Sequence, residues 1–362
     1  MTFPRSFGIL IKILVFRFKH KRKVMPAKNN RIPLYDIIRL FAAALVVLGH
    51  STYLTITTDH GGINYTFETA KNVFSSAFFK EWLYWSAWVY RFHIPLFFML
   101  AGSVFALRSD IGTIPLLIKK TRRLLVPFFL CGLFFMIPLK TVGGFFDKDK
   151  LPEIVIAFLT GHESGHLWFL PALFWCFAVF SLLCRIWKNP AFIMTVSLLF
   201  YRYHSKLPVG FFDFSFSMQY LIFFTAGFYF DRFRPALTKH PKTVLCLTAA
   251  LIVLNIADTR HHFLYPLFFR MAGCFLVYFT ALSPCTFFPK KSAVYSVRKA
   301  ADQTMNVYLY HDPLMIVILA FFAAHESLLH IAGGGLYFLS RTIGVILFSV
   351  IIGTGIKRIF RR

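Results

Sequence analysis

Three ionisable residues lie in an otherwise apolar stretch, Tyr35–His50, which reads YDIIRLFAAALVVLGH. They are Asp36, Arg39 and His50. A histidine takes and releases a proton near neutral pH, and an arginine binds phosphate or carboxylate groups. Such residues are costly inside a membrane helix and usually face a bundle interior or a wet cavity. Their presence therefore indicates that this part of the segment faces such an interior or cavity rather than lipid.

A helix would place these three side chains on one stripe. At about 100° per residue, the step from Arg39 to His50 returns to within about 20° of the same face, and Asp36 lies within roughly 60° of both. His50 is then about 16 Å farther along the helix axis than Arg39. We therefore predict that these three side chains line a passage within the helical bundle. The alternative is an i,i+3 ion pair between Asp36 and Arg39, with His50 as a packing residue.

The composition of the whole chain is that of a membrane protein. Of the 362 residues, 57% are hydrophobic, 19% are aromatic and 15% are charged, and the mean hydropathy is +0.62. A soluble domain does not hide that much apolar surface, whereas a bilayer removes the need to do so. The net charge of +25 lies in short clusters between apolar runs, which favours membrane topology over nucleic-acid binding.

The apolar runs predict an all-α, polytopic membrane protein with about ten transmembrane helices in one bundle. Most of the 40 Lys and Arg residues lie in alternate loops and in the two tails. The positive-inside rule therefore predicts that both termini are cytoplasmic. The expected spans are 33–56, 88–107, 123–140, 166–184, 190–203, 216–231, 243–257, 263–284, 303–324 and 334–356.

We expect three parts along the chain. Residues 1–30 form a basic cytoplasmic segment, interpreted as an amphipathic helix on the membrane surface. Residues 31–356 form the membrane domain, and residues 357–362 form a basic cytoplasmic tail. The sequence carries no signal for an oligomeric state.

Five motifs, in order along the chain, resemble those of the acyltransferase-3 family of integral-membrane O-acyltransferases. The first is Tyr35-Asp36-x-x-Arg39-x-x-Ala42, with ten residues between Arg39 and His50. The family often has glycine after the Asp and after the Arg, where this chain has Ile37 and Leu40. The other four motifs are HIPLFFMLAGSVFAL (93–107), KKTRRLLVP (119–127), HLWFLPAL (166–173) and NVYLYHDPL (306–314).

The resemblance implies transfer of an acyl group, commonly acetyl, from cytoplasmic acyl-CoA to a hydroxyl of an envelope glycan, glycolipid or related acceptor. The protein would lie in a bacterial cytoplasmic membrane. His50 would be the general base, with Asp36 and Arg39 in the same catalytic stripe. Direct transfer and an acyl-histidine intermediate are both open. The expected acyl-CoA-binding residues are Arg39, Lys119, Lys120, Arg122 and Arg123. The alternative for the basic turn, KKTRR at 119–123, is a role in membrane topology alone.

Four further residues are expected to support the acceptor or His50. His166 and His311 would orient the acceptor or hold His50 in one tautomer. Trp168 would stack on a sugar ring, and Tyr308 would act as a nucleophile or relay a proton. The alternatives are an interfacial anchor for Trp168 and a core tyrosine with a satisfied hydroxyl for Tyr308.

The segment HESGH at 162–166 matches the zinc-protease signature H-E-x-x-H. We expect no metal site, because Gly161, Ser164 and Gly165 weaken the helix that would place both histidines on one face.

The expected partners are acyl-CoA, a hydroxyl acceptor and membrane lipid, without nucleic acid. A competing hypothesis is a multi-helix transporter or exporter of a lipid-linked or polysaccharide substrate, because intramembrane Arg and His residues also line transport paths.

Overall fold

The computed structural model describes residues 31–52, 55–64, 77–107, 112–261, 266–285, 291–325, 327–328 and 336–359. Most of these residues are helical. A short antiparallel hairpin is formed by β1 (Thr55–Thr58) and β2 (Gly61–Asn64). The predicted amphipathic helix at 1–30 lies outside the described residues.

The helices are numbered in chain order. They are α1 Pro33–His50, α2 Ala77–Tyr90, α3 His93–Ala106, α4 Thr113–Val142, α5 Leu151–Thr160, α6 Phe169–Ile186, α7 Pro190–Tyr203, α8 Phe214–Met218, α9 Leu221–Leu237, α10 Pro241–His261, α11 Pro266–Cys285, α12 Lys291–Ala301, α13 Thr304–Ala324 and α14 Val345–Ile359. A 3₁₀ turn, Gly165–Trp168, leads into α6, and a π-helical turn, Ser340–Gly344, leads into α14.

Within the described part of the chain, six helical segments are long and apolar enough to cross a membrane. Helix α7 coincides with the predicted span 190–203, and helix α9 overlaps the predicted span 216–231. They have only 14 and 17 residues, short of the roughly 20 needed for a crossing. The predicted all-helical class is confirmed, but the count of about ten spans and the side of the termini are not. The six segments are Pro33–His50, Lys80–Ala106, Thr113–Val142, Lys148–Ile186, Thr304–Ala324 and Leu336–Arg358.

Helix α4 changes its hydrogen-bond register twice. The π-helical turns Thr121–Leu125 and Gly132–Met136 are each followed closely by a proline, Pro127 or Pro138. Proline has no N–H to donate to the carbonyl four residues earlier, and a wider turn accommodates that loss. Because Lys140 follows both turns, its direction relative to the basic residues at the start of α4 depends on them.

Helices α3 and α9 pack with their backbones in close approach. A Cβ added to Gly102 would overlap the carbonyl oxygen of Phe224, and one added to Gly227 would overlap that of Met99. The hydroxyl of Ser103 donates to the carbonyl of Gly227 at 2.9 Å. Small residues that admit such an approach are typical of membrane helix pairs. This contact fixes α3, which forms part of the wall of the site.

Helix α1 is held at both ends. Near its start, the hydroxyl of Tyr35 donates to Oδ1 of Asp231 in α9 at 2.7 Å. At its end, Nη2 of Arg341 donates to the carbonyl of His50 at 3.3 Å. Arg341 is only 1% exposed, and its positive charge is favourable at the C-terminus of a helix. These contacts fix the position of His50 in the bundle.

Candidate active site

A buried carboxylate, Asp312 of α13, joins three basic side chains from other parts of the chain. Its Oδ1 lies 3.4 Å from Nδ1 of His50. Its Oδ2 lies 3.1 Å from Nζ of Lys140 and 3.3 Å from Nδ1 of His166. Asp312 is 5% exposed and Lys140 is 4% exposed. Because an unpaired buried charge costs several kcal/mol, this cluster is stable only as a unit.

The proline that follows Asp312 determines how His166 is held. Pro313 has no N–H for the carbonyl of Leu309, four residues earlier. That carbonyl accepts hydrogen bonds from Nε2 of His166 at 3.1 Å and from Sγ of Cys131 at 3.2 Å. Since a carbonyl only accepts, Nε2 of His166 carries a proton. Nδ1 of His166 and Oδ2 of Asp312 then attract each other only if one of these two atoms also carries a proton.

His311 presents a nitrogen lone pair beside this cluster. Its ring centroid lies 4.9 Å from that of His50 and 5.3 Å from that of His166. Its Nδ1 lies 3.0 Å from the carbonyl of Val307 and 2.8 Å from that of Tyr308. In the uncharged ring, Nδ1 therefore carries the proton and Nε2 the lone pair. Nε2 is buried and has no hydrogen-bond partner among the residues that the structure describes.

These side chains line a cavity of about 550 Å³, which we call the histidine cavity. Its volume is within the range of about 300–1,000 Å³ that is typical of small-molecule sites. The hairpin covers part of it through Ile56, Thr58 and Asp59. Other wall residues include His50, Tyr90, His93, Lys140, Phe145, His166, Trp168, His311 and Asp312.

A second cavity, of about 260 Å³, is rich in positive charge, and we call it the basic cavity. Four cationic residues line it against one carboxylate, Asp302. Nζ of Lys120 lies 3.4 Å from the ring centroid of Phe177, a contact typical of a cation over an aromatic face. Such a wall suits a polyanion, because Arg and Lys make charge-assisted hydrogen bonds to phosphate. The four cationic residues are Arg39, Lys119, Lys120 and Arg123.

The two cavities share three wall residues, Phe97, Phe169 and Tyr308, which we call the aromatic throat. The ring of Phe169 lies 5.7 Å from that of Phe97 and 5.6 Å from that of Tyr308. The hydroxyl of Tyr308 donates to the carbonyl of His166 at 2.8 Å. The two cavities are therefore neighbours, with three aromatic rings at their common wall.

The stripe predicted on α1 is divided between the two cavities. Arg39 lines the basic cavity and His50 lines the histidine cavity. Asp36 lines neither; its carboxylate lies 2.7 Å from Arg31 and 3.6 Å from Arg39. The hydrogen bond from Arg31 to Asp36 raises the pKa of Arg31. Asp36 is thus in the ion pair with Arg39 that the sequence analysis gave as the alternative, and Arg31 is its closer partner.

The other predicted site residues fall into two groups. Arg122 is exposed and lines neither cavity, whereas the remaining expected acyl-CoA-binding residues share the basic cavity. The four supporting residues line the histidine cavity, and Tyr308 also belongs to the throat. They are His166, Trp168, Tyr308 and His311.

The sequence interpretation misses Asp312 and Lys140. A signal for Asp312 is present, because it lies between a histidine and a proline inside an apolar helix, and the proline frees a carbonyl there. Lys140 gives little signal. A lone lysine at the end of an apolar segment usually extends to the membrane interface, but in this fold it is buried against Asp312.

The HESGH segment does not form one helical face. Helix α5 ends at Thr160, and Gly161 has a left-handed φ of +88°. His162 is exposed, and its Nδ1 lies 2.9 Å from the hydroxyl of Thr160. His166 is buried and faces Asp312. The glycine break expected from the sequence therefore separates the two histidines.

A comparison with known protein families matches residues 32–354 to the acyltransferase-3 family, described as an acyltransferase domain. The match covers nearly the whole chain and includes the wall residues of both cavities. No curated protein and no solved structure matches the chain.

Proposed function

The chain belongs to the acyltransferase-3 family, and on this basis we propose its reaction. We propose that it transfers an acetyl group, or another acyl group, from cytoplasmic acyl-CoA to a hydroxyl group across the membrane. The acceptor is a glycan, a glycolipid or a related compound of a bacterial envelope, and the protein lies in the cytoplasmic membrane. One observation carries the proposal: a basic cavity and a histidine cavity share an aromatic wall.

The basic cavity is the proposed site for the CoA head group. Its four cations would neutralise the phosphates, and Arg39 would bind one of them with two parallel hydrogen bonds. The ion pair with Asp36, at 3.6 Å, keeps the guanidinium oriented before the donor arrives. On this assignment, the end of α1 that carries Arg39 faces the cytoplasm, in agreement with the positive-inside prediction.

The aromatic throat is the proposed passage for the acyl-thioester arm. Phe97, Phe169 and Tyr308 present apolar ring surface on both sides of the shared wall. An uncharged acyl-thioester can pass such a wall at low cost, whereas phosphates would lose their hydration there. The throat thus retains the head group on one side while the reacting carbon reaches the other.

His50 is the proposed general base. Its Nδ1 faces the carboxylate of Asp312 at 3.4 Å, so Nδ1 carries the proton and Nε2 accepts the proton of the acceptor hydroxyl. The carboxylate then stabilises the imidazolium. Lys140 also lines the histidine cavity, and its positive charge would stabilise the thioester oxygen as that oxygen becomes negative in the transition state.

The reaction balances without any further reagent. The acceptor oxygen forms an ester bond to the acyl carbon while the C–S bond breaks. The proton taken by His50 ends on the CoA thiol. An acyl-histidine intermediate on His50 would give the same products in two steps.

Thiol release from acetyl-CoA tests the proposal. Membranes that contain the wild-type protein should release CoA thiol, and His50→Ala should reduce the rate by about 100-fold or more, because a general base contributes about 10²–10⁴-fold. The matched control is His240→Ala. His240 is exposed and lines neither cavity, so its removal should leave the rate within about twofold.

A transporter would give a different result. Its substrate flux would not depend on acetyl-CoA, and no thiol would be released by the wild-type protein. That outcome would exclude acyl transfer. The family match favours the enzyme over this hypothesis.

A further inference from the structure

The two cavities carry opposite charge. Among the described residues, four carboxylates and one lysine line the histidine cavity, whereas four cations and one carboxylate line the basic cavity. In the histidine cavity, Lys140 is already paired with Asp312 at 3.1 Å. Apart from the histidines, the remaining charge of its wall therefore lies on three carboxylates, which we call the acidic mouth. They are Asp59, Glu163 and Asp213.

The acidic mouth comes from three separate segments. Asp59 is in the turn of the hairpin and Asp213 is just before α8, and both are exposed. Glu163 is only 4% exposed and lies deeper, 3.7 Å from Nδ1 of His60. Carboxylates accept hydrogen bonds and cannot donate them when ionised. A ligand in this mouth must therefore bring donors of its own.

Flat aromatic surface lies in the same wall. Trp168 and Phe216 both line the histidine cavity. Their ring centroids are 5.2 Å apart, in an edge-to-face arrangement. An apolar ring face beside hydrogen-bond acceptors suits a sugar, which has apolar C–H faces and hydroxyl donors around its edge.

His311 adds an independent pointer to a ligand. It is 1% exposed, and its Nδ1 is directed to backbone carbonyls of its own helix. Its Nε2 is thereby directed away from that helix, and it has no hydrogen-bond partner among the described residues. A buried acceptor without a partner costs free energy. A hydroxyl of a bound ligand would satisfy it.

We propose that the histidine cavity binds the acceptor as a hydroxyl-rich ring without negative charge, a neutral sugar or an amino sugar, and excludes uronic acids. This inference rests on the proposed function, because it names the acceptor class for the same site. Hydroxyl or ammonium donors of such a ring match the acidic mouth and Nε2 of His311. A carboxylate on the ring would be repelled by the mouth.

Three methyl glycosides test the acceptor class. Methyl glucoside, methyl glucosaminide and methyl glucuronide share one ring and differ in charge. Binding to the purified full-length protein in nanodiscs is measured by saturation-transfer NMR without acyl-CoA. We expect the first two to bind at least roughly tenfold more tightly than the glucuronide, because juxtaposed like charges are strongly unfavourable.

Two variants connect that preference to the mouth. Replacing the three carboxylates together (D59N, E163Q and D213N) should bring the ratio between glucoside and glucuronide close to one. Asp213→Lys should move the preference towards the glucuronide. The matched control is Glu153→Gln, an exposed carboxylate outside both cavities, which should leave the ratio unchanged.

The possible outcomes separate this inference from the proposed function. Equal or tighter binding of the glucuronide, binding of none of the three glycosides, or a ratio that the triple variant does not move would each overturn the acceptor class. Thiol release from acetyl-CoA is measured in parallel on membranes that contain the same protein, as in the test of the proposed function. Sugar binding without any thiol release would contradict acyl transfer and leave the binding preference standing.

Discussion

Nδ1 of His50 lies 3.4 Å from Oδ1 of Asp312, although the two residues belong to helices near opposite ends of the sequence. The other oxygen of the same carboxylate contacts Lys140 and His166. One buried charge therefore orients the proposed base and holds two further groups in the site. Changes at this carboxylate should affect both turnover and stability.

Asp312→Asn should reduce the kcat of acetyl-CoA turnover by about 100-fold or more, with a smaller change in KM. The amide cannot stabilise an imidazolium on His50, and the base loses its orientation. Lys140 also keeps a buried charge without its partner, which should lower the free energy of unfolding by about 3–5 kcal/mol. Thiol-release kinetics and thermal unfolding in detergent measure the two effects.

Two further variants separate these effects. Asp149→Asn removes an exposed carboxylate outside both cavities and should change neither quantity. The double variant Lys140→Met with Asp312→Asn removes both charges and should regain much of the lost stability while staying inactive. Recovery of turnover in the double variant would show that Asp312 only compensates Lys140.

Pro313→Ala should lower turnover while stabilising α13. Alanine restores an N–H for the carbonyl of Leu309, which then competes with Nε2 of His166. His166 should lose its fixed orientation towards Asp312. We expect turnover to fall by about fivefold, since the hydrogen bond that orients His166 is worth about 1 kcal/mol. Thiol release and thermal unfolding again provide the measurements.

The control for this change is a proline inside another helix. Pro235 of α9 is exposed and lines neither cavity. Pro235→Ala should stabilise its helix and leave turnover unchanged. If both variants lose turnover equally, the effect belongs to helix rigidity and the role assigned to the Leu309 carbonyl is wrong.

Arg123→Ala should raise the KM for acetyl-CoA by about five- to tenfold, because it removes one charge-assisted contact from the basic cavity. The neighbouring Arg122 lines neither cavity, and Arg122→Ala should raise KM by less than about twofold. Initial rates at varied acetyl-CoA measure both. The difference between the two variants should shrink as salt is added, since exposed charges are screened. Equal effects would favour a role in topology for the whole basic turn.

The sequence alone was sufficient to predict the elements that a local pattern determines. Apolar runs predicted helices such as α1 and α13, and helical spacing predicted that Arg39 and His50 share one stripe. The partner of His50 could not be predicted in this way. Asp312 reaches it only through the packing of α13 against α1, and Lys140 reaches Asp312 only after two π-helical turns in α4. Contacts between distant segments depend on tertiary packing, and the periodic pattern of a single sequence does not reveal which segments pack together.

The same limit applies to the span count. The runs at 190–203 and 216–231 are apolar, yet they fold into α7 and into the pair α8 and α9. Helix α8 ends at Met218 and α9 begins at Leu221, so the second run is divided into two helices that are each shorter than a crossing. Hydropathy alone detects the apolar run, but not this break.

The aromatic throat should determine the length of the acyl group. Phe97→Ala removes one of the three rings in the shared wall and should make room for a longer chain. Two extra methylenes buried in that space are worth about 0.8 kcal/mol each. The ratio of kcat/KM for butyryl-CoA to that for acetyl-CoA should therefore rise by roughly tenfold, and Phe97→Trp should lower it. Phe134→Ala, at a side chain that is 75% exposed and outside both cavities, should leave the ratio unchanged. If Phe97→Ala lowers both rates without changing their ratio, the acyl chain does not pass between these rings.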